Sequence, residues 1–152
     1  MRLIFFVFIF IKAILCNLAL ASDEVIFNID NQHKASMRIS NRHVSYHIDD
    51  GNVNHAKEIS VDTVKKINLI VGDFNFDGKK DFSIVHIDDG MGVYYIYRFF
   101  LFSVKLNDFI EIYPSCGDEF INIRIDKKKK VIMSTYYQDN QPMLCITKPP
   151  KI

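Results

Sequence analysis

Apolar and polar residues alternate along most of this chain with the two-residue period of half-buried β-strands, and helical spacing is scarce. Residues 24–29 (EVIFNI), 35–40 and 44–48 read as strands, with a turn over residues 30–34 and a strong turn signal at Asp49-Asp50-Gly51-Asn52. Residues 52–62 are polar and weakly patterned, a loop carrying one short strand near Ile59. Strands over 65–71 and 81–87 flank a polar loop, and Asp88-Asp89-Gly90-Met91-Gly92 forms a further turn. Residues 93–102 (VYYIYRFFLF) are aromatic or β-branched almost throughout, the composition that fits a pleated surface. The run is too short to cross a bilayer as a helix, and Arg98 interrupts it. As a strand it puts Val93, Tyr95, Tyr97, Phe99 and Leu101 on one face and Tyr94, Ile96, Arg98, Phe100 and Phe102 on the other. Apolar residues on both faces predict a central strand covered on both sides, the alternative being one aromatic face left for a partner.

Residues 109–112 form a short strand, 120–125 and 131–137 a hairpin across a solvated tip of four lysines, and 143–147 the last strand before Pro149-Pro150. About eight to ten short strands without helical crossovers predict an antiparallel all-β domain over residues 22–152.

The first 21 residues have another composition. Arg2, an apolar run over residues 3–11 and the small-x-small site Ala19-Leu20-Ala21 make a secretory leader cleaved before Ser22. A retained membrane anchor is the competing reading, weakened by Lys12 and Asn17 within the run. Cleavage takes two of the 19 basic residues, Arg2 and Lys12, and none of the 18 acidic ones, leaving 17 against 18 and a net charge of −1. That balance gives no reason to expect nucleic acid or an anionic membrane as partner. Cys16 leaves with the leader, and an exported chain with two cysteines remaining predicts one disulfide, Cys116 to Cys145.

Residues 73–81 (DFNFDGKKD) carry the densest candidate chemistry. Oxygen-bearing side chains fall at loop positions 1, 3, 5 and 9, with glycine at 6. Calcium takes six to eight oxygen ligands at flexible spacing. Asp73, Asn75 and Asp77 supply side-chain oxygens, Lys79 offers its carbonyl, and Asp81 closes the site directly or through water. Phe74 and Phe76 are expected to point into the core and pin the loop. Position 12 is Ile84 rather than glutamate and strands flank the loop, which excludes a helix-loop-helix calcium site. The competing reading is a metal-free polar hairpin held by side-chain-to-backbone bonds.

No catalytic motif is recognisable: there is no G-x-S-x-G, no H-E-x-x-H and no phosphate-binding glycine loop. His43 and His47 share one strand face and read as surface residues rather than the start of a zinc site. The Asp49-Asp50 and Asp88-Asp89 pairs are explained by turn chemistry.

The acidic loop resembles the DxDxDGxxD loop of FG-GAP β-propeller repeats, with Asn75 in place of the middle aspartate. Over residues 65–148 the chain is similar to small exported bacterial FG-GAP-like calcium-loop proteins related to periplasmic immunity proteins. The matching parts are residues 73–81 with the strand 82–85, the aromatic strand 94–102 and the basic hairpin 123–137. The turn at 88–92 is shorter than that family's, and residues before 65 match none of its parts. The resemblance implies a calcium-bearing β-sandwich or partial β-propeller-like domain; the missing motifs predict no enzyme, with an enzyme of unrecognised site as the third reading. It implies a periplasmic protein that binds and inhibits a lysozyme-like, peptidoglycan-degrading effector. Such a protein would plug the substrate cleft, with calcium stiffening a neighbouring hairpin. A secreted calcium-dependent module for sugar or cell surfaces is the alternative. Tyr136, Tyr137 and the 88–95 turn are the candidate aromatic anchors.

Overall fold

The structure, a computed structural model, describes residues 24–51 and 55–152; the leader expected over 1–21 and its cleavage point before Ser22 lie outside the described residues. The described chain forms two antiparallel sheets and no helix. The first sheet holds β1 (Glu24–Asn28), β2 (Lys34–Ser40), β3 (His43–Asp49) and β4 (His55–Ser60), in that spatial order. The second holds β5 (Asn68–Gly72), β6 (Asp81–Ile87), β7 (Tyr95–Ser103), β8 (Asp108–Ile112), β9 (Phe120–Asp126), β10 (Val131–Gln138) and β11 (Gln141–Thr147). Its order is β11-β10-β9-β7-β6-β5, with β8 paired to β7. One edge of β7 is therefore shared: Ile96 and Tyr97 pair with β9, and residues Phe99 to Ser103 pair with β8. The all-β expectation holds.

Strand period decides where the core lies. On β7, Phe100 and Phe102 face the first sheet and join Met37, Val44, Ile48 and Phe82 in one buried cluster. Phe99 and Leu101 face the opposite way and meet Phe74, Phe120 and Ile132 in a second. Aromatic pairs bind both cores: Phe82 stacks on Phe100 at 4.7 Å, and Phe99 meets Phe120 edge to face at 5.0 Å. The central-strand expectation thus holds from Phe99 onward, while Val93 and Tyr95 stay in solvent.

A second core exists because the larger sheet curls into a half-barrel. Asn122 has φ of 48° and the β9–β10 register shifts between Met133 and Thr135. Such irregularities bend a strand and increase its twist. The bend brings Ile123 and Ile125 onto the Phe74–Phe99 cluster.

Two segments differ from their expectation. Residues 52–62 contain a full six-residue strand, because β4 pairs with β3 from Ile48–His55 through to His43–Ser60. The strand expected over 65–71 begins only at Asn68, because the stretch before it is held otherwise. Asp89 accepts from the Thr63 hydroxyl and the Val64 amide, each at 3.0 Å, and Val61, Thr63 and Ile67 are buried.

Candidate functional site

The acidic loop joins β5 to β6 and is closed by its own polar groups. Asp73 accepts from the Asp77 amide at 3.1 Å and the Gly78 amide at 2.9 Å. Asn75 Oδ1 also accepts from the Asp77 amide at 3.1 Å, and its Nδ2 donates to Asp77 Oδ2 at 3.1 Å. Asp77 accepts from the Lys79 amide at 2.9 Å, and the Lys79 ammonium lies 3.4 Å from Asp77 Oδ2. Gly78 sits at φ of 93°, a conformation that costs glycine little and other residues more. Phe74 is buried against Phe99, as expected. Phe76 is only half-buried, and its φ of 62° turns it out of the strand alternation.

Asp81 is the fully buried member of the set. Its Oδ2 accepts from the Phe74 amide at 2.7 Å and the Asn75 amide at 3.3 Å, and its Oδ1 from the Phe102 amide at 2.9 Å. Burial pushes its pKa up to about 6, against the pull of those amides, and the Asp77 charge adds to the rise. A carboxylate has about four acceptor sites. Amide hydrogen bonds occupy three of them.

Two side-chain oxygens, Asp73 Oδ1 and Asn75 Oδ1, already converge on one donor, the Asp77 amide. All the donors are hard oxygens, which suits calcium rather than a softer metal. No group of three or more histidine, cysteine, aspartate or glutamate side chains among the described residues is arranged to hold a metal ion. The loop's carboxylates and amide are bonded to groups of the loop itself. Asn75 shares a cavity of about 410 Å³ with Lys130, Lys148 and Lys151, whose charges offset part of the loop's own.

The opposite end of β6 carries a different surface. Asp88 closes the 88–94 turn, accepting from the Tyr94 amide at 2.7 Å and the Gly92 amide at 3.2 Å. Those amides hold its carboxyl below the usual range. Tyr137, 43 residues further along, donates to the Tyr94 hydroxyl at 2.9 Å, and the two rings lie 5.8 Å apart. Tyr137 is 44 % exposed, Tyr95 52 % and Met91 80 %. Tyr136 turns away and packs beside Gly117, where an added Cβ would lie 2.9 Å from the tyrosine Cβ. Seven residues of β6 separate this aromatic end from the acidic loop, on the order of 20 Å at strand rise. The hairpin beside the loop is instead the β1–β2 turn, through the Lys80 amide and the Ile29 carbonyl at 2.9 Å.

Cys116 and Cys145 form a disulfide, with Cα atoms 5.8 Å apart. It fastens the β8–β9 loop to β11, beside a 2.9 Å bond from the Ser115 amide to the Thr147 hydroxyl. His43 lies on the exposed face of the first sheet, its Nδ1 2.7 Å from Glu58 and 3.4 Å from the Ser60 hydroxyl. Both partners address one ring nitrogen, so the imidazole cannot relay between them as a triad base must. Arg98 could have been singled out from the sequence, since a charge inside an aromatic strand needs a partner. It makes two bonds to Glu111, at 2.6 and 2.8 Å, and donates to the Ser60 carbonyl at 2.8 Å. The Asp108 site left no local signal: its partners Tyr46 and Lys57 come from the other sheet.

The chain matches no family model, and no match to it was found among curated proteins or solved structures.

Proposed function

We propose that this protein is an exported, calcium-binding inhibitor: an immunity protein that docks on a lysozyme-like peptidoglycan-degrading effector in the periplasm. The observation that carries the binding role is the meeting of Tyr94 and Tyr137 at one end of the sheet. Their mutual bond orders two aromatic side chains before any partner arrives, so less entropy is lost on docking. Tyr95, Val93 and Met91, in the same turn and strand start, are exposed as well. Large aromatic side chains are the usual anchors of such interfaces.

Calcium belongs to the same proposal. Asp73, Asn75, Asp77 and the Lys79 carbonyl would hold it, with Asp81 closing the site directly or through water. Bound there, the ion would neutralise the loop's carboxylates and brace the junction between β5, β6 and the β1–β2 turn. It would stabilise the fold rather than touch the partner.

Periplasmic co-expression with a lysozyme-like effector tests the reading. The wild-type chain should prevent lysis and co-purify with the effector. Tyr137→Ala and Tyr94→Ala should weaken the complex at least tenfold without lowering the melting temperature by more than a few degrees. Unchanged lysis and no complex at micromolar concentration, with retention on insoluble peptidoglycan, would favour the sugar- or surface-binding module in its place.

A further inference from the structure

The near-neutral balance of the chain hides a separation of charge. Residues 126–130 (DKKKK) and 148–151 (KPPK) carry six lysines and one aspartate, out of the 17 basic and 18 acidic residues from Ser22 onward. The sequence separates these segments by the whole β10–β11 hairpin, and the fold makes them neighbours. Ile132 of β10 pairs with Thr147 of β11, so Lys130 and Lys148 leave adjacent strands side by side. Pro149 is buried and Ile152 packs on the Phe99 cluster, which fastens the segment after β11. Lys130, Lys148 and Lys151 thus line one hollow.

All six lysines are exposed, and no carboxylate among the described residues lies within ion-pair distance of any of them. Asp126, the one acid of the two segments, is held by the turn itself, accepting from the Lys128 and Lys129 amides at 3.0 Å each. The acidic loop beside the hollow brings Asp73 and Asp77 but also Lys79 and Lys80, and its third aspartate, Asp81, is buried. Like charges gathered without partners repel one another, a cost that an anionic partner removes.

The composition indicates which anionic partner. Lysine is a compact point charge, whereas geometric recognition of a single phosphate favours the arginine fork, and neither segment holds an arginine. Neither holds an aromatic side chain on which a nucleic-acid base could stack. The apolar centre of a protein interface is missing too, since lysine and proline make up all but Asp126. A laterally fluid layer of anionic headgroups needs only a matching density of positive charge, and clusters of roughly four to eight basic residues bind such layers.

We propose that this end of the molecule docks on an anionic lipid surface, with Lys127 to Lys130, Lys148 and Lys151 facing the headgroups. Tyr137 lies towards the far end of β10, roughly 20 Å away at strand rise, and stays free. The docking surface depends neither on the inhibitor reading nor on calcium.

Flotation of the chain from Ser22 onward with lipid vesicles tests it. One set is phosphatidylcholine alone and the other carries phosphatidylglycerol as well, both in chelator so that no calcium bridges lipid and loop. Binding to the anionic vesicles alone is expected, with release at high salt as the charges are screened. A lysine near an anionic leaflet contributes about fivefold in affinity, so Lys128→Gln/Lys129→Gln and Lys148→Gln/Lys151→Gln should each weaken binding about 25-fold. Both variants alter exposed side chains and should melt as the wild type does. Lys65→Gln/Lys66→Gln, which removes two exposed lysines near the Asp88-Asp89 turn, should leave binding unchanged. Absence of binding to anionic vesicles, equal binding to neutral ones, or equal weakening by the Lys65/Lys66 pair would overturn the docking surface. Displacement by inorganic phosphate at constant ionic strength would overturn the assignment to lipid.

Discussion

Asp77 stands where three kinds of partner meet: the Asn75 amide, the Lys79 backbone and the Lys79 ammonium. An ion held by the loop would take over the role those groups now play. Modules of the extracellular kind bind calcium at roughly 10⁻⁴ to 10⁻³ M. Millimolar calcium should therefore raise the melting temperature of the wild type, and Asp77→Ala should remove that rise. A wild-type melting curve unmoved by calcium or chelator would identify the loop as a metal-free hairpin. Asp108 works differently. Burial by itself would raise its pKa, but bonds from Lys57 and Tyr46 hold it below the usual carboxylate value. A carboxyl depressed in the folded state contributes stability above its unfolded pKa, near 4, and that contribution is lost as pH falls through the folded value. Asp108→Asn should cost about 2 kcal/mol at neutral pH, as the loss of hydrogen bonds to a charged group does. It should also flatten the decline of stability below pH 4, measured by urea melts across pH.

Among the elements, the disulfide has the largest separable effect. It closes a loop over a sequence separation of 29, worth on the order of 3 to 4 kcal/mol by loop entropy. Reduction should lower the urea midpoint accordingly, and alkylation of both cysteines in the denatured but unreduced chain would contradict the bond. Strand legibility varied with burial on the two faces. The strand over 81–87 is legible because Phe82, Ile84, Val85 and Ile87 make a short apolar, largely β-branched run between two turn signals, as a strand buried on both faces does. β4 was reduced to one short strand near Ile59, since only that residue and Ala56 are apolar in HAKEIS. Its strand state comes from pairing with β3, and an edge strand exposed on one face leaves little hydrophobic pattern to read.

At the scale of the whole molecule, β7 belongs to both cores, Phe100 and Phe102 to one and Phe99 and Leu101 to the other. Loss of β7 from either core removes a wall of the other. Urea unfolding should therefore be a single transition by near-UV and far-UV circular dichroism. Phe82→Ala, which empties a site between Phe100 and Phe109, should shift it by about 3 to 5 kcal/mol with the slope unchanged. Two separated transitions would show the cores to be independent. The chain's own pattern determined the all-β class, most strand positions, the cysteine pair and the oxygen spacing of residues 73–81. Each of these depends on neighbours a few residues apart or on counting. Tertiary structure alone decided that Asp81 turns its oxygens to the Phe74, Asn75 and Phe102 amides, that Tyr137 reaches Tyr94, and that Lys148 and Lys151 join Lys130. The Asp81 bonds arise from the folded loop and the neighbouring strand β7, and the Tyr94–Tyr137 meeting from strands two places apart in a curled sheet. A positive φ at Asn122 and a register shift between Met133 and Thr135 bend that sheet where β9 meets β10. Side-chain alternation along a strand is the same whether its sheet is flat or rolled.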